Sequence, residues 1–221
     1  MKKIAAVLSL ALLAGCGDIT LQPEPKLPKP LLVPIEADVG LIIAPEQRKY
    51  RHKETRWGVD WLVELGAGHQ KLMEDIFNDE FSHVEEFKDL AGAQAASNLE
   101  ALFEPRIDQY SFVTSRETGG RYFAVTIRYR IDVYTPRGEK ADTLTLTGYG
   151  NALANGMKTG APLLRATIAA MRDAAAKFLV QFPDQPTGQH LARREPIASE
   201  VTVAEADNTS IDVVPIDDPV P

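Results

Sequence analysis

Residues 122–134 read YFAVTIRYRIDVY and follow a Gly119-Gly120 pair. Phe123, Val125, Ile127, Tyr129, Ile131 and Val133 alternate with Ala124, Thr126, Arg128, Arg130, Asp132 and Tyr134. Successive side chains of a strand point to opposite faces, so this period predicts a long strand with one dry face and one wet face. Thr135-Pro136-Arg137-Gly138-Glu139 supplies a turn. Thr143 to Tyr149 then returns as a partner strand, with Leu144 and Leu146 on the dry side.

Upstream, Ala101 to Pro105 and Gln109 to Thr114 read as another strand. Pro105 marks a bulge or an edge there, because proline has no N–H to give to a ladder. Leu31 to Ile35 and Asp38 to Ile43 read as a first strand with a proline interruption, Val59 to Leu65 as a second, and Val84 to Phe87 as a further one. Residues 46–56 are charged and read as a loop or a polar edge segment, and 91–98 as a short helix or loop. Two helices stand out by their 3.6-residue period. One opens at Gly66-Ala67-Gly68 and runs to about Phe81, with Leu72, Met73, Ile76, Phe77 and Phe81 on one face. The other spans about Ala161 to Phe182, with Leu164, Ile168, Met171, Ala175, Phe178, Leu179 and Phe182 as its apolar face. Helices that bury one stripe against one face of a sheet make two layers around one core. The expected fold is α+β: a mostly antiparallel sheet with two main helices packed on one face.

The chain has 221 residues, and residues 1–16 read MKKIAAVLSLALLAGC. Lys2 and Lys3, a short apolar run from Ile4 to Leu13, and small Ala14 and Gly15 are the layout of a secretory signal peptide. A spanning helix needs roughly twenty apolar residues, so the run is too short for a permanent one. Cys16 is the only cysteine in the chain, which excludes a disulfide within one subunit. Residues 16–31 carry Pro23, Pro25, Pro28 and Pro30 and read as an extended tether. Residues 32–182 are the domain. Residues 183–221 have no aromatic residue and set eight acids against Arg193 and Arg194, which accounts for six of the seven net negative charges. Such a segment buries too little apolar area to offset its ordering entropy and is expected to be disordered. The domain is then near neutral and has no basic stripe, which excludes an ordinary nucleic-acid surface.

Leu13-Ala14-Gly15-Cys16 resembles the bacterial lipobox. The resemblance implies a diacylglyceryl group on the Cys16 thiol, cleavage before Cys16 and acylation of the new amine. Each buried methylene contributes roughly 0.8 kcal/mol and stable attachment takes two chains, which a diacylglyceryl cysteine provides. Gly17 stands where an aspartate would retain such a protein in the inner membrane, so the resemblance favours the outer membrane, facing the periplasm. The domain also resembles the YajG-like and transport-auxiliary lipoproteins of Gram-negative bacteria. That likeness rests on Val39-Gly40-Leu41, Pro45-Glu46, Glu104-Pro105-Arg106-Ile107, the Tyr122–Tyr134 strand, Leu146-Thr147-Gly148-Tyr149-Gly150 and the Ala-rich last helix. It implies a periplasm-facing accessory domain and carries over no catalytic residue.

Motifs for chemistry are sparse. The four histidines are His52, His69, His83 and His190. His69 lacks the second histidine of a His-Glu-x-x-His zinc helix. His83 with Glu85 and Glu86 reads as a solvated strand edge rather than a metal site. No Gly-x-Ser-x-Gly elbow surrounds a serine, and Gly148-x-Gly150 is not followed directly by a helix, as a phosphate loop requires. No metal and no cofactor are expected. One basic-aromatic cluster remains: Tyr50, Trp57 and Trp61 among Arg48, Lys49, Arg51, His52, Lys53 and Arg56. Trp, Tyr and Arg are common interface anchors, so Tyr50, Trp57, Arg48, Arg51 and Arg56 are the candidate interaction residues. Trp61 alternates with Val59 and Val63 and is expected in the core. The resulting expectation is a non-enzymatic, outer-membrane-anchored lipoprotein with a protein partner in an envelope complex, which it serves as an accessory or assembly factor. The alternatives are a module for peptidoglycan or lipid using residues 48–61, and an envelope hydrolase.

Overall fold

A computed structural model describes residues 18–96, 98–154 and 160–199. The signal peptide, Cys16 and the tail from residue 200 lie outside the described residues, so the expectations placed on them are not addressed by the fold.

Among the described residues, eight strands and five α-helices follow in order. They are β1 (Ile19–Leu21), β2 (Ile35–Ile42), α1 (Pro45–Arg48), β3 (Arg51–Arg56), β4 (Val59–Glu64), α2 (Gly66–Glu80) and β5 (Phe81–Phe87). Next come α3 (Leu90–Gln94), β6 (Ala101–Val113), β7 (Tyr122–Tyr134), β8 (Lys140–Leu153), α4 (Gly160–Gln181), a 3-10 turn (Phe182–Asp184) and α5 (Pro186–Ala192). A five-stranded sheet has the order β5-β2-β6-β7-β8 and a three-stranded sheet the order β1-β4-β3.

The α+β class holds, but the sheets are mixed rather than mostly antiparallel. β2 runs parallel to both β5 and β6, and β1 parallel to β4. Parallel neighbours need a long crossover, and residues 43–80, which carry β3, β4 and α2, supply it between β2 and β5. The burial of β2 fits: Val39, Leu41 and Ile42 are all fully buried, as in a strand covered on both faces.

One face of the large sheet carries the main core. Phe123, Val125, Ile127, Tyr129, Ile131 and Val133 of β7 are buried as the alternation predicts. β6 changes parity midway: Phe103 and Ile107 point to the core before a register shift at Asp108, Tyr110 and Phe112 after it. The bulge is therefore at Asp108, not at Pro105. Beyond Phe103, β6 has outrun its pairing with β2, and the Gln47 side chain accepts the Ile107 N–H instead, at 2.9 Å.

α2 and α4 lie on that core face, with Phe77, Phe81, Phe103, Phe178 and Phe182 in mutual ring contact between them. The three-stranded sheet covers the same face farther along, where Trp61 meets Phe112 and Phe123 edge-on. On the opposite face α3 covers only a small cluster of Ile42, Ala93, Leu99 and Leu102. The rest of that face is mostly polar, apart from Val113, Tyr122 and Leu153 at one end.

Met171, Ala175, Phe178, Leu179 and Phe182 of the expected apolar face of α4 are buried, but its first turns are rotated from that face. Leu163, Ala166, Ala170, Met171 and Ala174 are buried, whereas Leu164 and Ile168 are only partly so. The cause lies in β8: a Cβ at Gly148 would run into the carbonyl of Ala170, and one at Gly150 into that of Ala166. The two glycines admit the helix backbone directly, and only alanines fit in the gap.

The expected tether is part of the fold. β1 adds to β4, Leu21, Pro23 and Pro25 are buried, and Leu27 packs on the core. The expected tail also begins later than residue 183. α5 docks Leu191 with no exposure, and the Thr187 hydroxyl donates to Asp142 at 2.8 Å.

Three of the four sheet edges are blunted. β1 has only three residues, and β3 presents Arg51 and Lys53 outward. At the free edge of β8 the Tyr149 N–H donates to Asp173, and Lys177 and Arg165 donate to the carbonyls of Thr147 and Leu153. Side chains of α4 thus take up main-chain groups that another strand could use.

Candidate functional site

The 48–61 segment does not form one basic-aromatic surface. β3 and β4 pair antiparallel from Arg51↔Glu64 to Arg56↔Val59, and five residue steps separate their ends by about 17 Å. At one end Arg48, Lys49, Tyr50 and Arg51 line a cleft of about 400 Å³ with Gln22, Glu24 and Glu64. The Arg48 guanidinium turns inward and donates to the Ile43 carbonyl at 3.0 Å. Tyr50 packs against the core, and burial raises its pKa. In the middle, His52 lies 4.9 Å from the Tyr110 ring and 3.0 Å from a Glu54 oxygen.

At the other end is the hairpin tip. Trp57 and Gly58 both have positive φ, 54° and 73°. This is the two-residue turn whose twist matches antiparallel strands. Trp57 is 61 % exposed and Trp61 3 %, so the two tryptophans separate as their positions in the sequence suggest. Arg56 stacks over Phe112 and is held by Glu54 and by Glu117 of the β6–β7 loop. It is therefore a structural residue rather than a free contact. Of the candidate interaction residues, Trp57 and Arg56 stand at the tip, Arg56 held by its carboxylate partners, while Arg48, Tyr50 and Arg51 belong to the distant cleft.

The Arg56–Glu117 pair joins the tip to the end of the large sheet where β6 stops and β7 begins. Val113, Tyr122 and Leu153 are exposed there by 37 %, 38 % and 73 %. Tyr122 and Leu153 are paired across β7 and β8. Arg116, Arg121 and Arg165 are exposed around them and form no ion pair among the described residues. The start of α4 is at this end too, since a Cβ on Gly160 would lie 3.2 Å from Ile19. The sequence reading passed over these residues because their clustering depends on how the strands are ordered.

His69 is fully buried, stacked 5.6 Å from Tyr129, with Nε2 3.3 Å from the Pro105 carbonyl oxygen. Burial lowers its pKa to about 4. His83 and Glu85 share a shallow cleft with Asp38. No group of three or more His, Cys, Asp or Glu side chains among the described residues is arranged to hold a metal ion.

The polar face of the large sheet is organised around Asp132, which is 4 % exposed. Thr143 donates to it at 2.9 Å, and Arg106, Arg130 and Lys140 lie at 3.2, 3.2 and 3.3 Å. Burial pushes this carboxyl up, but the Thr143 hydroxyl and the three cations outweigh it and hold the pKa below the usual aspartate value. On the far side of the molecule Leu27, Pro28, Pro30 and Leu32 form an apolar groove of about 290 Å³ with Leu179 and Val180 of α4.

No protein-family model matches the chain, and no curated protein matches it in sequence. Among solved structures, a Xanthomonas campestris protein of the family DUF330 is similar over 88 % of this chain and 99 % of its own, with 12 % identity and a TM-score of 0.42. A Helicobacter pylori protein described as a neuraminyllactose-binding hemagglutinin homolog is similar over 77 % of this chain and 97 % of its own, with 8 % identity and a TM-score of 0.49. A Caulobacter crescentus protein described as a lipoprotein is similar over 58 % of this chain and 81 % of its own, with 9 % identity and a TM-score of 0.37. None of these reaches a TM-score of 0.5, and the descriptions apply to those proteins.

Proposed function

We propose that this chain is an envelope lipoprotein, anchored through acyl chains on Cys16 to the outer membrane and facing the periplasm, where it serves an envelope complex as a non-enzymatic accessory or assembly factor. The observation that carries the reading is the run Leu13-Ala14-Gly15-Cys16 behind a basic start and a short apolar core. No helix among the described residues is long and apolar enough to cross a membrane, and acyl chains on Cys16 would supply the attachment. The partner in this reading is another envelope protein.

The alternative, a peptidoglycan or lipid module built from residues 48–61 together, is weakened by the distance between Trp57 and the Arg48–Arg51 cleft. Metabolic labelling with palmitate tests the anchor. The wild type takes up label and fractionates with outer membrane, whereas Cys16→Ala takes up none and accumulates as precursor or soluble protein. An unlabelled wild type would falsify the reading.

A further inference from the structure

We infer that the Trp57-Gly58 hairpin tip rests in the headgroup layer of the membrane that holds the anchor, so that the domain is docked on the bilayer by one defined end. This rests on the lipid-anchor reading above and adds an orientation to it.

The argument starts from where the described chain begins. β1 runs parallel to β4 with Ile19 opposite Trp61, so the strand's N-terminal end, at Ile19, is directed toward the Val59, Gly58 and Trp57 end of the hairpin. Cys16 precedes Ile19 by three residues, a span of at most about 10 Å. The rise from Trp61 back to Gly58 is the same number of residues and about the same length. A lipid-bearing residue three positions before Ile19 is thus within chain reach of the level of the tip, and that short span bounds how far the domain can stand from the anchor. What was expected to be a tether of some fifteen residues is folded against the domain beyond that point.

The tip itself is the second observation. Trp57 is 61 % exposed and occupies a left-handed backbone position that a bulky side chain disfavours. Strain of that kind points to a functional constraint. An indole has an apolar body and one N–H donor, which suits it to the boundary between acyl chains and water. Its surroundings suit the same boundary. Tyr122, Leu153 and Val113 are exposed at this end, beside the exposed guanidiniums of Arg116, Arg121 and Arg165, which form no ion pair among the described residues and carry positive charge toward phosphate groups. The occupant is therefore a phospholipid surface rather than a protein.

Tryptophan fluorescence tests this on the full lipidated protein, reconstituted into vesicles of phosphatidylethanolamine and phosphatidylglycerol with brominated acyl chains. Flotation of the vesicles is read first. Protein that does not float removes the anchor, and the orientation falls with it. For floating protein, the difference between the wild type and Trp57→Phe isolates the Trp57 emission, because Trp61 is shielded in the core. The expected result is a blue-shifted Trp57 contribution that brominated lipid largely extinguishes, with the Trp61 emission of Trp57→Phe little changed. Floating protein whose Trp57 emission is untouched by brominated lipid and quenched by aqueous iodide leaves the anchor standing and overturns the docked orientation.

Discussion

Trp57 sits at a turn position where Asn or Gly would be at ease. A side chain in the left-handed region costs about 1–2 kcal/mol, and Asn is among the few residues that tolerate it. Trp57→Asn should therefore raise the unfolding free energy by about 1 kcal/mol, measured by urea denaturation, while Trp61→Ala should lower it by about 3–5 kcal/mol, the range for removing a core tryptophan. Equal losses from both would make the tip ordinary core. Two other residues set a pH dependence. Burial lowers His69 to about 4 from 6.5, so within that window the unfolded chain takes up a proton that the fold refuses, and stability falls as pH falls. Burial raises Glu80 to about 7 from 4.5, so there the unfolded chain releases a proton that the fold keeps, and stability falls as pH rises. Between about pH 4.5 and 6.5 the two slopes oppose each other. Relative to wild type, Glu80→Gln should tilt stability upward with pH and His69→Gln downward, each approaching about 1.4 kcal/mol per pH unit. Parallel profiles for the two variants would show that neither group is held as described.

At the level of the elements, long periodic segments were legible and their rotation was not. β7 and α2 follow their patterns because each buries one continuous stripe. The stripe of α4 holds from Met171 to Phe182, but at its start, where Leu164 and Ile168 were expected inward, the helix turns Ala166 and Ala170 inward to meet Gly148 and Gly150. A strand glycine decides helix packing only once strand and helix are known to touch. The ends misled for a related reason. Proline-rich and acidic stretches look solvated by composition, yet β1 needs only three residues to pair and α5 only one leucine to dock. Burying a leucine contributes roughly 1.5–3 kcal/mol. Ending the chain after Gln185 should therefore lower stability by about that much, and by more once Thr187 no longer meets Asp142. A thermal melt unaffected by that truncation would mean α5 is only laid on the surface.

For the whole molecule, the class α+β was readable, but strand direction was not. β2 and β5 are separated by a small sheet and a helix, and nothing in an alternation pattern says which way the chain returns. The same limit hid most of the tip end. Trp57 and Trp61 could be told apart by local alternation, whereas Val113, Tyr122, Leu153 and Ile19 come together only through the order of the strands. The guarded sheet edges take on a different meaning for a chain confined to a surface. Confinement to a plane raises effective concentration without any new contact. Neighbouring copies would stand side by side at matched height and orientation, the arrangement in which open strands zip into fibres. The short β1, the cations on β3 and the α4 side chains over β8 would let such a population crowd in two dimensions and stay as separate molecules.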